Sequence, residues 1–405
     1  MNILTISTLY PNNRQPRHGI FVETRLRKLK QQYPDCNITV VAPVPWFPFS
    51  TSMFGRYQQY AGINAVENRS GINIYHPTYL ALPGIGMYCN PWTLYLSVKK
   101  QVSSLLKQGV RFDIIDAHYI YPDAVAAVWL AQQLGLPITA TARGSDINLL
   151  PNYVWPRRLI RKALQKVDVA IGVCQALADK MTSLQPNLKQ AITIRNGVDT
   201  SLFYPEPQRE QLRVQLGYRG YCLLSVGNLV AVKCQHKIIT LLTKFDDVQL
   251  YIAGDGPLEQ QLKTQVAQLN LAQRVHFIGY QSQQQLRQHY TAADCMVLAS
   301  NSEGWANVLL EAMACGCPVV ATPAGGTPEV IAHPDAGVVS KDFSVDALQD
   351  ALAKLRKTAP SRDSVQAYAS KLSWDASVHL LKHTFDQAIQ NSRPPQAKPE
   401  VLHDR

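Results

Sequence analysis

Short apolar and β-branched runs alternate along this chain with longer stretches in which apolar residues recur every three or four positions. In the first half the short runs are "NILTIST", "ITVVAP", "INIYHPTY", "FDIIDAH", "PITATA", "VAIGVC" and "AITIRNG". In the second they are "YCLLSVG", "QLYIAGDG", "VHFIGY", "CMVLAS" and "PVVATP". Near-continuous apolar runs predict strands buried on both faces of parallel sheets. Stretches such as "IFVETRLRKLKQQY", "DAVAAVWLAQQLG" and "PLEQQLKTQVAQLNL" supply the covering helices. The pattern predicts an α/β protein with two Rossmann-like, doubly wound domains.

The 405 residues exceed one ordinary core. A break is expected at "NGVDTSLFYPEPQ", where Asn196-Gly197 signals a turn and Pro205 and Pro207 punctuate the chain. The expected domains are therefore 1–200 and 201–372. An amphipathic helix over 373–391 follows with no strand after it, and residues 392–405 are expected to form a disordered tail, having little to bury. "MNILTISTLYP" reads as a first strand, since it lacks the basic start and small-residue cleavage site of an export signal. No apolar stretch approaches the ~20 residues of a spanning helix.

Charge and cysteine content refine this picture. The first 200 residues hold 21 Lys and Arg against 10 Asp and Glu, whereas the remainder holds 19 of each. The whole excess of +11 thus falls in the first half, which suits an anionic membrane, an anionic substrate or nucleic acid. The stretch "VWPRRLIRKALQKVD" sets Arg157, Arg158, Arg161, Lys162 and Lys166 beside Trp155, Leu159, Ile160 and Leu164, near the apolar loops "PWFPFSTSMF" and "LPGIGMYCNPW". It reads either as a core helix with a solvated basic face or as a contact with an anionic membrane. No nucleic-acid recognition motif accompanies it. Eight scattered cysteines form neither a C-x-x-C pair nor a zinc spacing, and read as reduced thiols of a cytoplasmic protein.

Candidate chemistry centres on "NSEGWANVLLEAM". A loop after the strand "CMVLAS" leads into a helix expected to start at Ala306 or Asn307. The N–H groups at such a helix start carry partial positive charge and hold phosphates well. Glu303 precedes the start and Glu311 lies one turn inside. Ionised carboxylates only accept hydrogen bonds, so they suit hydroxyl groups at either end of a nucleotide-sugar. By spacing alone, a helix-terminal charge and an ordinary surface glutamate explain the pair equally well.

The surrounding motifs change that balance. "EGWANVLLEAMACGCPVVATPAGGTPEVI", with "IRNGVDTSLFYP", "AGDGPLEQQL" and "RVHFIGY" in order, resembles the family 4 glycosyltransferases of GT-B architecture, particularly bacterial polysaccharide-building members. The resemblance implies two domains facing a cleft, with the C-terminal helix returning to the first. It implies retaining transfer from a nucleotide-sugar, without metal or other cofactor, to a lipid-carrier-linked glycan. It places the backbone N–H groups of Gly304, Trp305, Ala306 and Asn307 on the donor phosphates and sugar, Glu303 on sugar hydroxyls, Glu311 on the ribose and Tyr280 beside the base. Lys233 would neutralise the diphosphate, and Gly19 would lie near it. Asn228 stands where the family usually has arginine, and Cys234 where it has glycine, so a replacement cation is needed and Arg195 is the candidate. His118 would touch the donor sugar or a leaving oxygen. In "TARGSDIN", Arg143 replaces the family's histidine, and with Asp146 it would bind the acceptor, Asp146 alternatively capping its loop. Glu303 is also carried, with His118 and Lys233, among the residues nearest the chemistry. Rival readings are a soluble transferase or epimerase of the same architecture, and a non-catalytic nucleotide-sugar-binding protein.

Overall fold

The computed structural model describes residues 1–47, 59–81 and 86–392. Residues 48–54 of one apolar loop, 82–85 of the other, and the expected tail from 393 onward lie outside them. The described chain forms two large α/β sheets and a small one that pairs Val44–Pro45 with Thr78–Tyr79. The first holds eight strands, in the spatial order Ala191–Thr193, Val169–Gly172, Ile138–Ala142, Ile114–His118, Asn2–Ile6, Asn37–Val41, Ile72–Tyr75 and Val66–Arg69. All pairs are parallel except the last, an antiparallel edge. That edge strand, "VENR", was not anticipated because its alternating exposed positions leave no apolar run.

The second sheet holds six parallel strands: Val275–Gly279, Val248–Ala253, Tyr221–Val226, Cys295–Leu298, Val319–Ala321 and Gly337–Val339. Burial explains their composition. Every residue of Ile114–His118, Ile138–Ala142 and Cys295–Leu298 is buried, so each must be apolar or find a polar partner inside.

Strand order locates the crevices where ligands of such sheets bind. In the first sheet the chain runs outward from Asn2–Ile6 and then returns to Ile114–His118 on its other side. In the second it runs outward from Tyr221–Val226 and returns to Cys295–Leu298. Each reversal opens a crevice at the carboxyl ends of the two central strands. His118 ends one of those strands, and the loops that follow contain Gly19, Asn228, Lys233 and Glu303.

The last helix, Trp374–Ser392, packs on the first, Ile20–Gln32. Trp374, Val378, Leu381 and Phe385 share a core with Val22, Leu26 and Leu29. Gly197 permits the return: a Cβ there would lie 2.3 Å from the Trp374 backbone nitrogen.

Candidate active site

The second-sheet crevice is built from two loops tied by one ion pair. After Val226 the chain crosses Gly227 and Asn228 and turns at Ala231–Lys233. After Leu298 it runs through Glu303 to the helix Asn307–Ala314. Lys233 Nζ reaches Glu303 Oε1 at 2.6 Å and bridges the loops. The helix begins at Asn307 with Ala306 as N-cap, and no side chain caps it. By contrast, the helices after Ser282, Ser344 and Ser361 are each capped by that serine.

Between this crevice and the first domain lies a cavity of about 600 Å³. Arg17 and Ile20 line one side, and Asn228, Gly254, Tyr280 and Glu311 the other. Tyr280 is exposed, with the Arg17 guanidinium across its ring. Glu311 projects from the helix into the deep end, where the Tyr290 hydroxyl donates to its Oε2 at 3.1 Å. Burial pushes the Glu311 carboxyl up to about 7, an effect only partly offset by that hydrogen bond. The volume and the few polar groups at its ends suit a nucleotide.

The residues around the helix starts at Asn307 and Ile20 are also held by packing. Trp305 is buried, and its Nε1 donates to the Asn196 carbonyl at 3.0 Å, so it packs the junction between domains. Ala306 is likewise buried. Gly304 presses on the first domain: a Cβ there would lie 2.0 Å from the Arg143 carbonyl oxygen. Gly19 caps the first helix at φ 69°, and a Cβ would meet the Leu9 carbonyl at 2.2 Å. A left-handed turn and close packing both demand glycine at that position.

The first-domain crevice holds a buried polar network that periodicity did not reveal. His118 and Asp116 sit two apart on one strand, hence on one face. His118 Nε2 donates to Asp116 Oδ2 at 2.8 Å, and its Nδ1 accepts from Arg143 Nη2. Thr139 donates to the other Asp116 oxygen. Arg25, on the buried stripe of the first helix, donates to Thr141 at 3.1 Å. Burial pushes His118 down to about 4; Asp116 opposes this and Arg143 adds to it. Burial would raise Asp116, but His118, Arg25 and Thr139 outweigh it and hold that carboxyl low. His118 is therefore neutral at pH 7, fully buried, with both ring nitrogens engaged. In this arrangement the two ring nitrogens of His118 meet Asp116 and Arg143.

Asp146 takes the loop-capping place. It is fully buried and accepts from the backbone N–H groups of Ile120, Arg143 and Gly144, so it caps its own loop, the alternative left open by sequence. Arg143 turns toward the second domain, donating to Asn196 Oδ1 at 3.2 Å, while Asn196 Nδ2 donates to Asn307 Oδ1 at 3.3 Å. Arg195, the candidate replacement cation, bonds Glu329 through two nitrogens at 2.5 and 3.1 Å. Glu329 also accepts from the N–H groups of Gln175 and Ala176 at the start of the helix Gln175–Leu184. Glu329 and Asn196 lie within the quoted motifs, but a motif does not say which distant side chains they meet, so sequence named neither as a junction residue.

Comparison with known proteins now decides the family. The model described as glycosyl transferases group 1 matches residues 208–372, and that of glycosyltransferase family 4 matches residues 64–202. N-acetyl-alpha-D-glucosaminyl L-malate synthase of Bacillus anthracis is 30% identical over 274 residues, 66% of this chain and 70% of that protein. The chain belongs to the family 4 glycosyltransferases. TuaC of Bacillus subtilis (strain 168), a glycosyltransferase assigned to teichuronic acid biosynthesis, is 28% identical over 405 residues, covering 97% of this glycosyltransferase and 100% of TuaC. The fold matches sucrose-phosphate synthase of Thermosynechococcus elongatus at a TM-score of 0.79, with 18% identity over 96% of this chain and 100% of that one. It matches HepE of Anabaena in complex with UDP at 0.71, with 21% identity over 96% and 100%. The glycosyltransferase thus has the GT-B architecture and uses a nucleotide-sugar donor. None of its helices, among the described residues, is long and apolar enough to cross a membrane.

Proposed function

We propose that this glycosyltransferase moves a hexosyl group from a nucleoside-diphosphate sugar to a growing glycan on a lipid carrier, with retention of configuration. The observation that carries the reading is the meeting of two topological crevices across one cavity, with Val308 and Glu311 of the uncapped helix on its wall and Lys233 packed behind Gly227 of that wall. The base would rest by Tyr280 and the ribose on Glu311. Lys233 would leave Glu303 for the diphosphate, and Glu303 would then accept from sugar hydroxyls. The acceptor oxygen bonds to the anomeric carbon on the face from which the nucleoside diphosphate departs. The broken bond's electron pair and the acceptor proton both go to the departing phosphate oxygen, which the nearby cation stabilises.

The lipid-linked acceptor is supported by surface chemistry. The helix Val154–Lys166 buries Ile160 and Leu164 in the core, so its central apolar stripe is unavailable to a membrane. Its leading end differs: Tyr153, Val154 and Trp155 are exposed, and Trp155 Nε1 bonds the Tyr88 carbonyl of the helix Gly86–Lys107, beside exposed Tyr88 and Trp92. Aromatic residues beside Arg157, Arg158 and Arg161 fit an anionic interface. The test has two arms. Thermal shift with a panel of nucleotide-sugars identifies the donor, and NMR of the product's anomeric proton reads the stereochemistry. Cosedimentation with anionic vesicles, abolished by Trp155→Glu, is expected; full transfer to free small sugars with no vesicle binding would replace the lipid-linked acceptor by a soluble one.

A further inference from the structure

We propose that Arg143 grips the departing phosphate of the donor, acting as the second cation of the site and not as an acceptor contact. This deepens the donor-site reading above and rests on it.

An inventory of cations around the helix start at Asn307 leads there. Lys233 is paired with Glu303, Arg195 with Glu329, Arg27 and Lys28 with Asp199, and Arg287 with Glu206. Arg25 is sealed in the core below the crevice. Arg143 stands between His118 and Asn196, which leads to Asn307, and forms no ion pair among the described residues. Its Nε is buried and without a partner. A guanidinium in a desolvated site with one N–H unmet is costly until an anion arrives.

Three neighbours aim it. Neutral His118, held by Asp116, offers Nδ1 to Arg143 Nη2. Asn196 accepts from Nη1 and is itself bonded to Asn307, the first residue of the helix. The ring of Phe21, two residues beyond Gly19, lies 5.0 Å from the guanidinium carbon. The group thus stands between the first-domain helix start at Gly19 and the second-domain helix start at Asn307. Its own loop touches Gly304, so domain closure carries guanidinium and amide donors toward the same phosphate. During transfer the anomeric C–O bond breaks and its electron pair goes to that phosphate oxygen, where Arg143 donates hydrogen bonds. Arg17 lines the same cavity but lies across the Tyr280 ring, where the base is placed, and Lys233 is still attracted by Glu303, so Arg143 supplies the cation by the helix start.

The test compares diphosphate with monophosphate. Calorimetric titration of wild type, Arg143→Ala and Arg143→Lys uses UDP and UMP, or GDP and GMP, whichever pair wild type binds. Arg143→Ala is expected to weaken the diphosphate about 10- to 100-fold, as loss of a charge-assisted hydrogen bond implies, and to change the monophosphate less than about threefold. Arg143→Lys is expected to recover part of the loss, and carries the comparison should the alanine variant not fold. At saturating donor, kcat falls in parallel. Equal loss for both nucleotides would reduce Arg143 to a structural role. Unchanged diphosphate affinity with a raised acceptor KM would return it to the acceptor. If wild type binds none of the four nucleotides, the donor-site reading itself falls; if it binds and the variants do not differ, only this assignment does.

Discussion

Glu311 carries the cost of its own burial. Its carboxyl, raised from 4.5 to about 7, binds a proton in the native state where the unfolded chain has none. Stability from this group is therefore full below pH 4.5 and lost as pH rises through 7, about 3 kcal/mol in all at ~1.4 kcal/mol per pH unit. Glu311→Gln should raise the denaturation midpoint at pH 8 and leave it nearly unchanged at pH 4.5. The same variant should weaken nucleotide binding most at pH 8, because ribose hydroxyls prefer the ionised form. His118 carries the opposite sign. Its ring, lowered from 6.5 to about 4, must take a proton on unfolding in acid. That contribution is present above pH 6.5 and lost as pH falls through 4. Replacing His118 by Asn should flatten the acid limb of the stability curve by up to about 3 kcal/mol. A wild-type pH–rate profile showing a histidine inflection near 6.5 that His118→Asn removes would contradict the buried neutral ring.

At the scale of elements, the loop from Glu303 to Ala306 is held on two sides. A Cβ on Gly304 would overlap the Arg143 carbonyl, and one on Gly325 would lie 1.9 Å from the Glu303 carbonyl oxygen. Both obstacles are backbone, so neither yields as a side-chain tip would. Gly304→Ala should cost about 1–3 kcal/mol, the range for overpacking, and should lower kcat more than it lowers the melting point implies, since the strain falls on the loop that carries Glu303. Wild-type kinetics in this variant would mean the two loops separate during turnover. The strand Ile114–His118 shows what periodicity hides. Its five positions are all buried, so an apolar run was the right expectation, yet Asp116 and His118 survive there only because each finds partners inside.

At the scale of the whole molecule, Glu329 links the domains. It neutralises Arg195 and accepts from the helix start at Gln175 and Ala176, while the last helix returns across the same junction. Glu329→Ala should cost only about 1–2 kcal/mol, since Arg195 is partly exposed and one helix start loses its acceptor. Its larger effect should be on closure: a greater radius of gyration by small-angle scattering and a raised donor KM. Unchanged scattering would make Glu329 a local brace and not a link between domains.

The sequence by itself determined the local physics. Apolar runs and their spacing specified strands and helices, strand continuity specified parallel sheets, and the motif around Glu303 and Glu311 specified a helix start at Ala306 or Asn307 with Glu311 beyond it. Those are properties of residues within a few positions of one another. Only the tertiary structure decided which side chain faces which. His118 and Arg143 are 25 residues apart and Arg25 and Thr141 are 116 apart, and each pair meets only through strand order. Whether a histidine is a ligand contact or a buried prop, and whether an arginine already has its carboxylate, depends on neighbours that the sheet brings together. Burial sets the energy of each charge, and burial belongs to the folded whole.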